Sequence, residues 1–127
     1  MISKITPFLI FKRNAKKALE FYVSIFEDAS IKNKTYFENE ANKIKYATFS
    51  LKGQDFICID SSVENNFPFT PAISFYVLCS SDKEIKELSK ALSRKGKVLM
   101  PLDKYGFNRK YAWIEDKFGI SWQLVLE

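Results

Sequence analysis

The predicted elements occur in the same order twice along the chain, and this internal repeat limits the possible folds more than any other feature. One helix is predicted to begin after Asn14 and another after Ser81, and single glycines at Gly53 and Gly119 mark tight turns at nearly the same interval. The residues differ between the two halves, so the order of the elements repeats, whereas the amino-acid sequence does not. Such a repeat indicates two similar supersecondary units.

The first half of the chain predicts a βαβββ module over residues of about 1–62. Its first strand is apolar and is followed by Asn14, a favourable N-cap. Apolar residues then recur at helical spacing from Ala15 to Phe26. A polar turn is expected over residues 39–42. The predicted strands cover residues 5–11, 31–37, 43–51 and 56–59.

After a linker over residues 61–70, the same pattern predicts a second module over about 70–127. Ser81, with Glu84 three positions later, forms a capping-box signature at the start of the helix. Gly96 is the expected C-cap of that helix. The predicted strands cover residues 72–79, 98–102, 111–115 and 120–126.

Each module has a single helix to cover one face of its sheet, so the other face must be buried elsewhere. The simplest solution is a pair of curved sheets that enclose a shared cleft. The composition, with 46% hydrophobic and 16% aromatic residues, is sufficient for a packed core. The sequence therefore predicts an α+β fold in which two βαβββ modules form an open curved mixed sheet, as a single domain over residues 1–127.

The net charge, the lack of a long apolar segment and the cysteines limit the expected binding partners and the cellular location of the protein. The formal net charge is +5, from 20 basic and 15 acidic residues interleaved along most of the chain, so neither nucleic-acid nor membrane binding is expected. No apolar segment is long enough for a signal core or a membrane span, and a cytoplasmic location is predicted. Cys58 and Cys79 lie in apolar runs, which favours two reduced, buried thiols, although the sequence leaves a disulfide open.

Two absences from the sequence limit its chemistry. There is no histidine, so neither a Ser-His-Asp triad nor a Cys-His pair can form. The four glycines are isolated and form no G-x-G pair, which excludes a Rossmann or phosphate-binding loop in its usual form. A carboxylate or lysine acting as a general base stays open.

Several stretches resemble a known superfamily. The segments TPFLIF (6–11), NAKKALEFY (14–22) and PAISF (71–75) are similar to the vicinal oxygen chelate superfamily, which includes glyoxalases, bleomycin-resistance proteins and ring-cleaving dioxygenases. The closing segment DKFGISWQLV (116–125) resembles the branch named 3-demethylubiquinone-9 3-methyltransferase-like. The resemblance implies paired βαβββ modules in an open barrel, where metal-using members hold a divalent cation with side chains from four strands.

By the same resemblance, the cation-binding positions correspond to Pro7, Ser74, Gln123 and either Phe56 or Ile57. Among them, Gln123 alone offers a carbonyl oxygen, and a serine hydroxyl is a poor ligand unless it is deprotonated. Divalent transition metals need three or four imidazole, thiolate or carboxylate ligands. We therefore expect neither a bound metal nor another cofactor. Three carboxylates could act as replacement metal ligands, although such residues are more often found in turns or on the surface. They are Asp60, Asp103 and Glu115.

A ligand site is expected instead on strands that face the predicted cleft. Gln123 is the central candidate, either as a hydrogen-bonding group at the bottom of the cleft or as a partly exposed residue on the wetter side of its strand. Trp113 and Trp122 are more often core residues than ligand platforms. Tyr105 and Phe107, on a loop with a glycine, suggest a lid or a dimer contact. The predicted pocket residues are Gln123, Ser74, Tyr76, Leu9 and Trp113.

The leading functional hypothesis is a glyoxalase/bleomycin-resistance-like protein that binds a small organic molecule in an aromatic cleft without a catalytic metal. One alternative is a metal-dependent lyase or dioxygenase with an atypical ligand set, and another is a non-catalytic dimeric interaction protein. Methyl transfer is not expected, despite the name of the branch, and whether any reaction is catalysed stays open. A homodimer is expected because open sheets leave strand edges that need cover.

Overall fold

The computed structural model describes residues 1–62, 67–106 and 109–127. The chain divides into two compact units, Met1–Phe67 and Pro68–Glu127. Each unit contains a strand, a helix and three further strands, so the predicted α+β fold with two βαβββ modules is confirmed. That the two modules form a single domain stays a prediction.

Both units have the same strand order. The sheet of the first unit has the order β1-β4-β3-β2 and that of the second has the order β5-β8-β7-β6. In each sheet one outer strand is parallel to its neighbour and the other pairs are antiparallel, so both sheets are mixed, as predicted. The elements are β1 (Phe8–Phe11), α1 (Ala15–Ile25), β2 (Ala29–Phe37), β3 (Glu40–Leu51), β4 (Gln54–Asp60), β5 (Ser74–Leu78), α2 (Asp82–Ser93), β6 (Lys97–Asp103), β7 (Lys110–Glu115) and β8 (Ser121–Leu126).

Two predicted boundaries in the first unit are wrong. Strand β1 begins at Phe8 rather than at residue 5, although the Pro7 carbonyl still accepts a hydrogen bond from the Ile57 backbone N–H at 2.9 Å. Strand β3 begins at Glu40, inside the predicted polar turn, because Phe37 pairs with Glu40 and leaves only residues 38–39 for the turn. The other boundaries lie close to the predicted ones.

The core of the first unit lies between α1 and one face of its sheet. Phe49 on β3 stacks on Tyr22 of α1 with ring centroids 6.2 Å apart, and on Phe56 of β4 at 5.1 Å. Leu9 on β1 pairs with Cys58, two residues from Phe56, and therefore lies on the same face. Complete burial of a large apolar side chain contributes about 1.5–3 kcal/mol, so this face supplies much of the stability of the unit.

The start of α1 is held by a residue from another element. Asn14 occupies the N-cap position, but its side chain makes no capping hydrogen bond, so the prediction for that side chain is wrong. Instead, Asp60 at the end of β4 accepts from the Ala15 N–H at 3.0 Å and from the Ile44 N–H at 2.8 Å. Asp60 is 1% exposed, which corrects its interpretation as a turn or surface carboxylate.

The start of α2 is capped locally, as predicted. The Ser81 hydroxyl accepts from the Glu84 N–H at 3.1 Å. The Glu84 carboxylate reaches back and accepts from the Ser80 N–H at 2.7 Å, one residue before the usual partner in a capping box. Both hydrogen bonds lie within a few residues of sequence, which is why the signature was visible there.

The prediction that Gly96 is the C-cap of α2 is wrong. The C-cap is Arg94, and the residue with a left-handed backbone is Lys95, with φ 60°. Gly96 is needed for a different reason, because a Cβ at this position would lie 2.3 Å from the Glu115 carbonyl oxygen. The close approach of the backbone to β7 therefore requires glycine here.

The two cysteines are free and buried, as the sequence predicted. Burial raises the pKa of the Cys58 thiol to about 12 and that of the Cys79 thiol to about 11. Both thiols are therefore protonated at neutral pH and are poor nucleophiles. Within the described ranges, neither helix has the length and apolar character needed to cross a membrane.

We predict that Asp60→Asn lowers the free energy of unfolding by about 1–3 kcal/mol. One carboxylate oxygen becomes an amide nitrogen that cannot accept, so either the Ala15 N–H or the Ile44 N–H loses its partner in a buried site. Urea denaturation at neutral pH measures the loss.

Asp103→Asn is the matched control for this substitution. The Asp103 carboxylate also accepts from a backbone N–H, that of Lys104 at 2.8 Å, but it is exposed. Its variant should have nearly the stability of the unaltered protein, because water replaces the lost partner. Equal losses in the two variants would show that the buried hydrogen bonds of Asp60 do not stabilise the module.

Candidate functional site

The candidate site is the face of the second sheet that α2 does not cover. Lys110 on β7 binds Asp82 of α2 at 2.5 Å, which places the helix on the side of Lys110. Trp113, three residues further along the strand, is on the opposite side. It pairs with Gln123 of β8, which in turn pairs with Tyr76 of β5, so these three side chains share the uncovered face.

The covered face of this sheet contains the other tryptophan. Trp122 is buried and packs against Phe75 with ring centroids 5.3 Å apart. Its indole N–H donates to Asp116 at 2.9 Å, and the same buried carboxylate accepts from the Ile120 N–H at 3.1 Å. The expectation that Trp122 belongs to the core is confirmed. Trp113, by contrast, is only half-buried.

A hydrogen-bonded chain connects three residues at one end of the uncovered face. The Trp113 indole N–H donates to the Ser121 hydroxyl at 2.8 Å, and the oxygens of Ser121 and Ser74 are 2.7 Å apart. Because an indole can only donate, Ser121 must accept from it. Ser121 is buried, so this chain fixes the position of the Trp113 ring.

A second group of side chains surrounds Gln123. The Tyr111 hydroxyl donates to the Gln123 side-chain oxygen at 2.8 Å. The Tyr105 ring meets the Tyr111 ring edge-on at 5.9 Å, and the Tyr105 hydroxyl donates to the Pro101 carbonyl at 2.7 Å. Burial raises the pKa of the Tyr111 hydroxyl above its ordinary value, and the neighbouring Tyr76 and Tyr105 raise it further. Tyr111 therefore stays protonated, and able to donate, at neutral pH.

Four of the five predicted pocket residues lie on this one face. They are Ser74, Tyr76, Trp113 and Gln123. The fifth, Leu9, belongs to the first unit, where it is 7% exposed and lies on the face that α1 covers. That these residues line a ligand pocket stays a prediction. Of the two loop aromatics, Tyr105 packs on Tyr111 and Phe107 lies outside the described residues.

Sequence reasoning missed Tyr111 and Ser121 as site residues. Both alternate with apolar residues along their strands, and this periodicity could have placed them on the same face as Trp113 and Gln123. The hydrogen bonds that they form depend on the register between β7 and β8, for which the sequence carries no signal.

The positions that the superfamily resemblance assigns to a cation do not fit a metal. Pro7 has no donor atom, and Phe56 and Ile57 are apolar. The Gln123 carbonyl oxygen already accepts from Tyr111, and the Ser74 hydroxyl is bonded to Ser121. In residues 1–62, 67–106 and 109–127, no three His, Cys, Asp or Glu side chains are grouped so that they could hold a metal ion.

The three carboxylates considered as replacements are also unsuited to a shared site. Asp60 uses both oxygens on backbone N–H groups and is buried in the first unit. Asp103 is exposed at the end of β6, and Glu115 stands opposite Ser121 on β7. Among the described residues, these three carboxylates therefore do not form a shared set of metal ligands.

Comparisons with known proteins indicate a family and a fold. The model of the family described as 3-demethylubiquinone-9 3-methyltransferase matches residues 3–125. A PhnB protein from Bacillus cereus, provisionally named a 3-demethylubiquinone-9 3-methyltransferase, is 43% identical, covers 98% of this chain and 100% of its own, and has a TM-score of 0.95. No curated protein shows significant similarity to this chain.

Two more distant structures share the fold. The fosfomycin resistance protein FosX from Listeria monocytogenes is 15% identical, covers 98% of this chain and 94% of its own, and has a TM-score of 0.68. A glyoxylase/bleomycin resistance protein/dioxygenase domain from Frankia sp. is 13% identical, covers 99% of this chain and 93% of its own, and has a TM-score of 0.70. At these identities the likeness concerns the fold alone.

We predict that Ser121→Ala lowers the free energy of unfolding by about 1–3 kcal/mol, because the Trp113 indole N–H loses its acceptor. Ser74→Ala is the control, since it removes a neighbouring hydroxyl but leaves Ser121 to accept from Trp113. It should cost less than half as much. Urea denaturation followed by tryptophan fluorescence checks both variants, and a larger loss for Ser74→Ala would contradict the assigned direction of the chain.

Proposed function

The chain belongs to the 3-demethylubiquinone-9 3-methyltransferase family of the vicinal oxygen chelate superfamily, and we propose that it binds a small organic molecule without a protein-bound metal. The resemblance inferred from the sequence is thereby confirmed. The observation that supports the proposal is the uncovered face of the second sheet, where tyrosine and tryptophan rings surround the neutral amide of Gln123. Such a combination of rings with few polar groups is typical of small-molecule sites.

The polar groups on this face are suited to holding a ligand. Ser121 and Tyr111 fix the side chains of Trp113 and Gln123 through hydrogen bonds of 2.8 Å, so a ligand meets groups that are already ordered. Ordered groups bind more tightly because less conformational entropy is lost on binding. Neither an imidazole nor a reactive thiolate is at hand, since the sequence lacks histidine and burial raises the pKa of both thiols.

We do not extend the methyltransferase name of the family to the activity of this chain. Binding of S-adenosylmethionine usually relies on a glycine-rich loop after a first strand, and this sequence has no G-x-G pair. The proposal is therefore a ligand-binding protein with the glyoxalase/bleomycin-resistance fold, whose ligand is recognised by stacking and neutral hydrogen bonds.

We predict that aromatic fragments shift the NMR signals of the Trp113 indole N–H and the Gln123 side-chain amide. The chain has two tryptophans and two glutamines, so each signal has an internal reference. Trp122 is buried and bonded to Asp116, and Gln54 lies on β4 in the first unit. A fragment screen on isotope-labelled protein should shift the Trp113 and Gln123 signals and leave those of Trp122 and Gln54 unchanged.

Two outcomes of this screen would contradict the proposal. If no fragment shifts the Trp113 and Gln123 signals at millimolar concentration, the face does not bind such ligands. If Mn²⁺ broadens the Gln123 signal strongly at a stoichiometric ratio, the metal-dependent lyase or dioxygenase becomes the better hypothesis. A Trp113→Ala variant should abolish the shift at Gln123, because the main stacking surface is lost.

We also propose that the chain forms a homodimer through β1 or β5, each of which is an edge strand of its own sheet. Phe8 on β1 is 51% exposed, and Tyr76 and Leu78 on β5 are 62% and 60% exposed. The edge strands on the other side carry features that prevent pairing, such as Lys32 on β2 and Pro101 on β6, and both have register shifts. The unprotected, apolar edges support association.

Sedimentation velocity at micromolar concentration should show a dimer for the unaltered protein. If β5 forms the interface, a Leu78→Glu variant should sediment as a monomer, because a charge would be buried there without a partner. A dimer in this variant would assign the interface to β1. Val98→Glu is the control, since Val98 is similarly exposed but lies on the protected strand β6. A monomer before any substitution would rule out the homodimer, and dissociation by both variants alike would rule out the edge of β5 as its interface.

A further inference from the structure

Three aromatic residues at the candidate site use their single polar hydrogen inside the protein. The Tyr111 hydroxyl donates to the Gln123 side-chain oxygen, the Trp113 indole donates to Ser121, and the Tyr105 hydroxyl donates to the Pro101 carbonyl. None of these hydrogens is then available to a ligand. The rings therefore offer surface for stacking, and hydrogen bonding to a ligand depends on the remaining groups.

The oxygen and the nitrogen of the Gln123 side-chain amide differ in whether they already have a hydrogen-bond partner. Its oxygen accepts from Tyr111, whereas its nitrogen Nε2 donates to no group within the ranges that the structure describes. An amide nitrogen carries two hydrogens. Because Gln123 is only half-buried, a ligand on the uncovered face can reach these two N–H groups, and it meets donors rather than an acceptor.

The charges near Gln123 favour a neutral acceptor on the ligand. Asp103 stands opposite Tyr111 in the register between β6 and β7, and Glu115 lies on the same face of β7 as Trp113. No lysine or arginine in the described part of the chain bonds to Tyr111, Trp113 or Gln123. A carboxylate ligand would therefore lose hydration without gaining a cation, whereas a carbonyl oxygen carries no such cost.

We propose that Gln123 donates from Nε2 to a neutral carbonyl oxygen of an aromatic ligand, and that Tyr111 is the positioning residue that fixes this direction. The inference rests on the proposed ligand-binding function and specifies its ligand class as aromatic ketones, aldehydes or amides. Tyr111 does not touch the ligand oxygen. It acts through Gln123, because after a half-turn of the amide the Tyr111 hydroxyl would accept from Nε2 and its own hydrogen would lose the Gln123 oxygen as acceptor.

The test compares two probes of nearly equal shape. Acetophenone carries a carbonyl oxygen, and α-methylstyrene has a CH₂ group in its place. NMR titration of the Trp113 and Gln123 signals gives both dissociation constants. We expect the unaltered protein to bind acetophenone roughly two- to tenfold more tightly, which is the range for one neutral hydrogen bond.

Two substitutions then separate the roles of the residues. Gln123→Glu replaces the donors with carboxylate oxygens and should abolish or reverse the preference for acetophenone. Tyr111→Phe should reduce the preference by more than half, because the amide can rotate freely once its partner is gone. Tyr105→Phe is the control, since it removes a hydroxyl from the same cluster that bonds to Pro101 rather than to Gln123, and it should keep the preference. An unchanged Trp122 signal reports that each variant is folded.

The outcomes distinguish this inference from the proposed function. If neither probe binds but other aromatic fragments shift the Trp113 and Gln123 signals, the ligand class is overturned and the ligand-binding function stands. If both probes bind equally to the unaltered protein, the ligand-binding function stands and the carbonyl preference is overturned. If Gln123→Glu removes the preference but Tyr111→Phe retains it in full, the positioning role of Tyr111 is overturned. Because the readout is a ratio of affinities, a general loss of packing in a variant would weaken both probes alike and leave it unchanged.

Discussion

A single buried carboxylate connects three elements of the first module. Asp60 ends β4, and its oxygens accept from the Ala15 N–H at the start of α1 and from the Ile44 N–H in β3. The first turn of α1 contains no acidic residue of its own, so Asp60 also supplies the negative charge that stabilises a helix N-terminus. A buried N–H without a partner is costly, so an arrangement that moves α1 or β3 away from Asp60 is disfavoured. The stacking of Tyr22 on Phe49 is compatible with that arrangement.

The second module also provides partners for the N–H groups at its helix start and in its sheet, but with different residues. Its helix is capped by Ser81 within the local sequence, and its buried carboxylate, Asp116, lies in the turn before β8 rather than at the end of the last strand. Asp116 accepts from the Ile120 N–H and from the Trp122 indole, which holds the start of β8 and the side chain that faces the core. Since side chains alternate along a strand, this also sets the face on which Gln123 lies.

This contrast explains which features the sequence could predict. The capping pair of Ser81 was visible because its partner is three residues away, and the alternation in β8 was visible because one face is more polar. The cap of α1 was missed because Asp60 is 45 residues from Ala15, and no local pattern joins them. For Leu9 the periodicity carried no information, because β1 is apolar on both faces and the sequence does not say which one the helix covers. The same limit applies to Tyr111, whose partner is set by strand register.

The superfamily resemblance implies that Gln123 occupies a cation-binding position of the metal-using members. In those members, a side-chain oxygen at this position would face the cation. In this chain the oxygen of the amide accepts from Tyr111, so what remains available is a pair of N–H donors, which repel a cation and attract an acceptor. Tyr111 carries its proton at neutral pH, and its raised pKa extends this range to higher pH. Under the proposed function, the neighbouring hydroxyl therefore leaves donors rather than an acceptor at this position, which matches a ligand with a neutral acceptor oxygen.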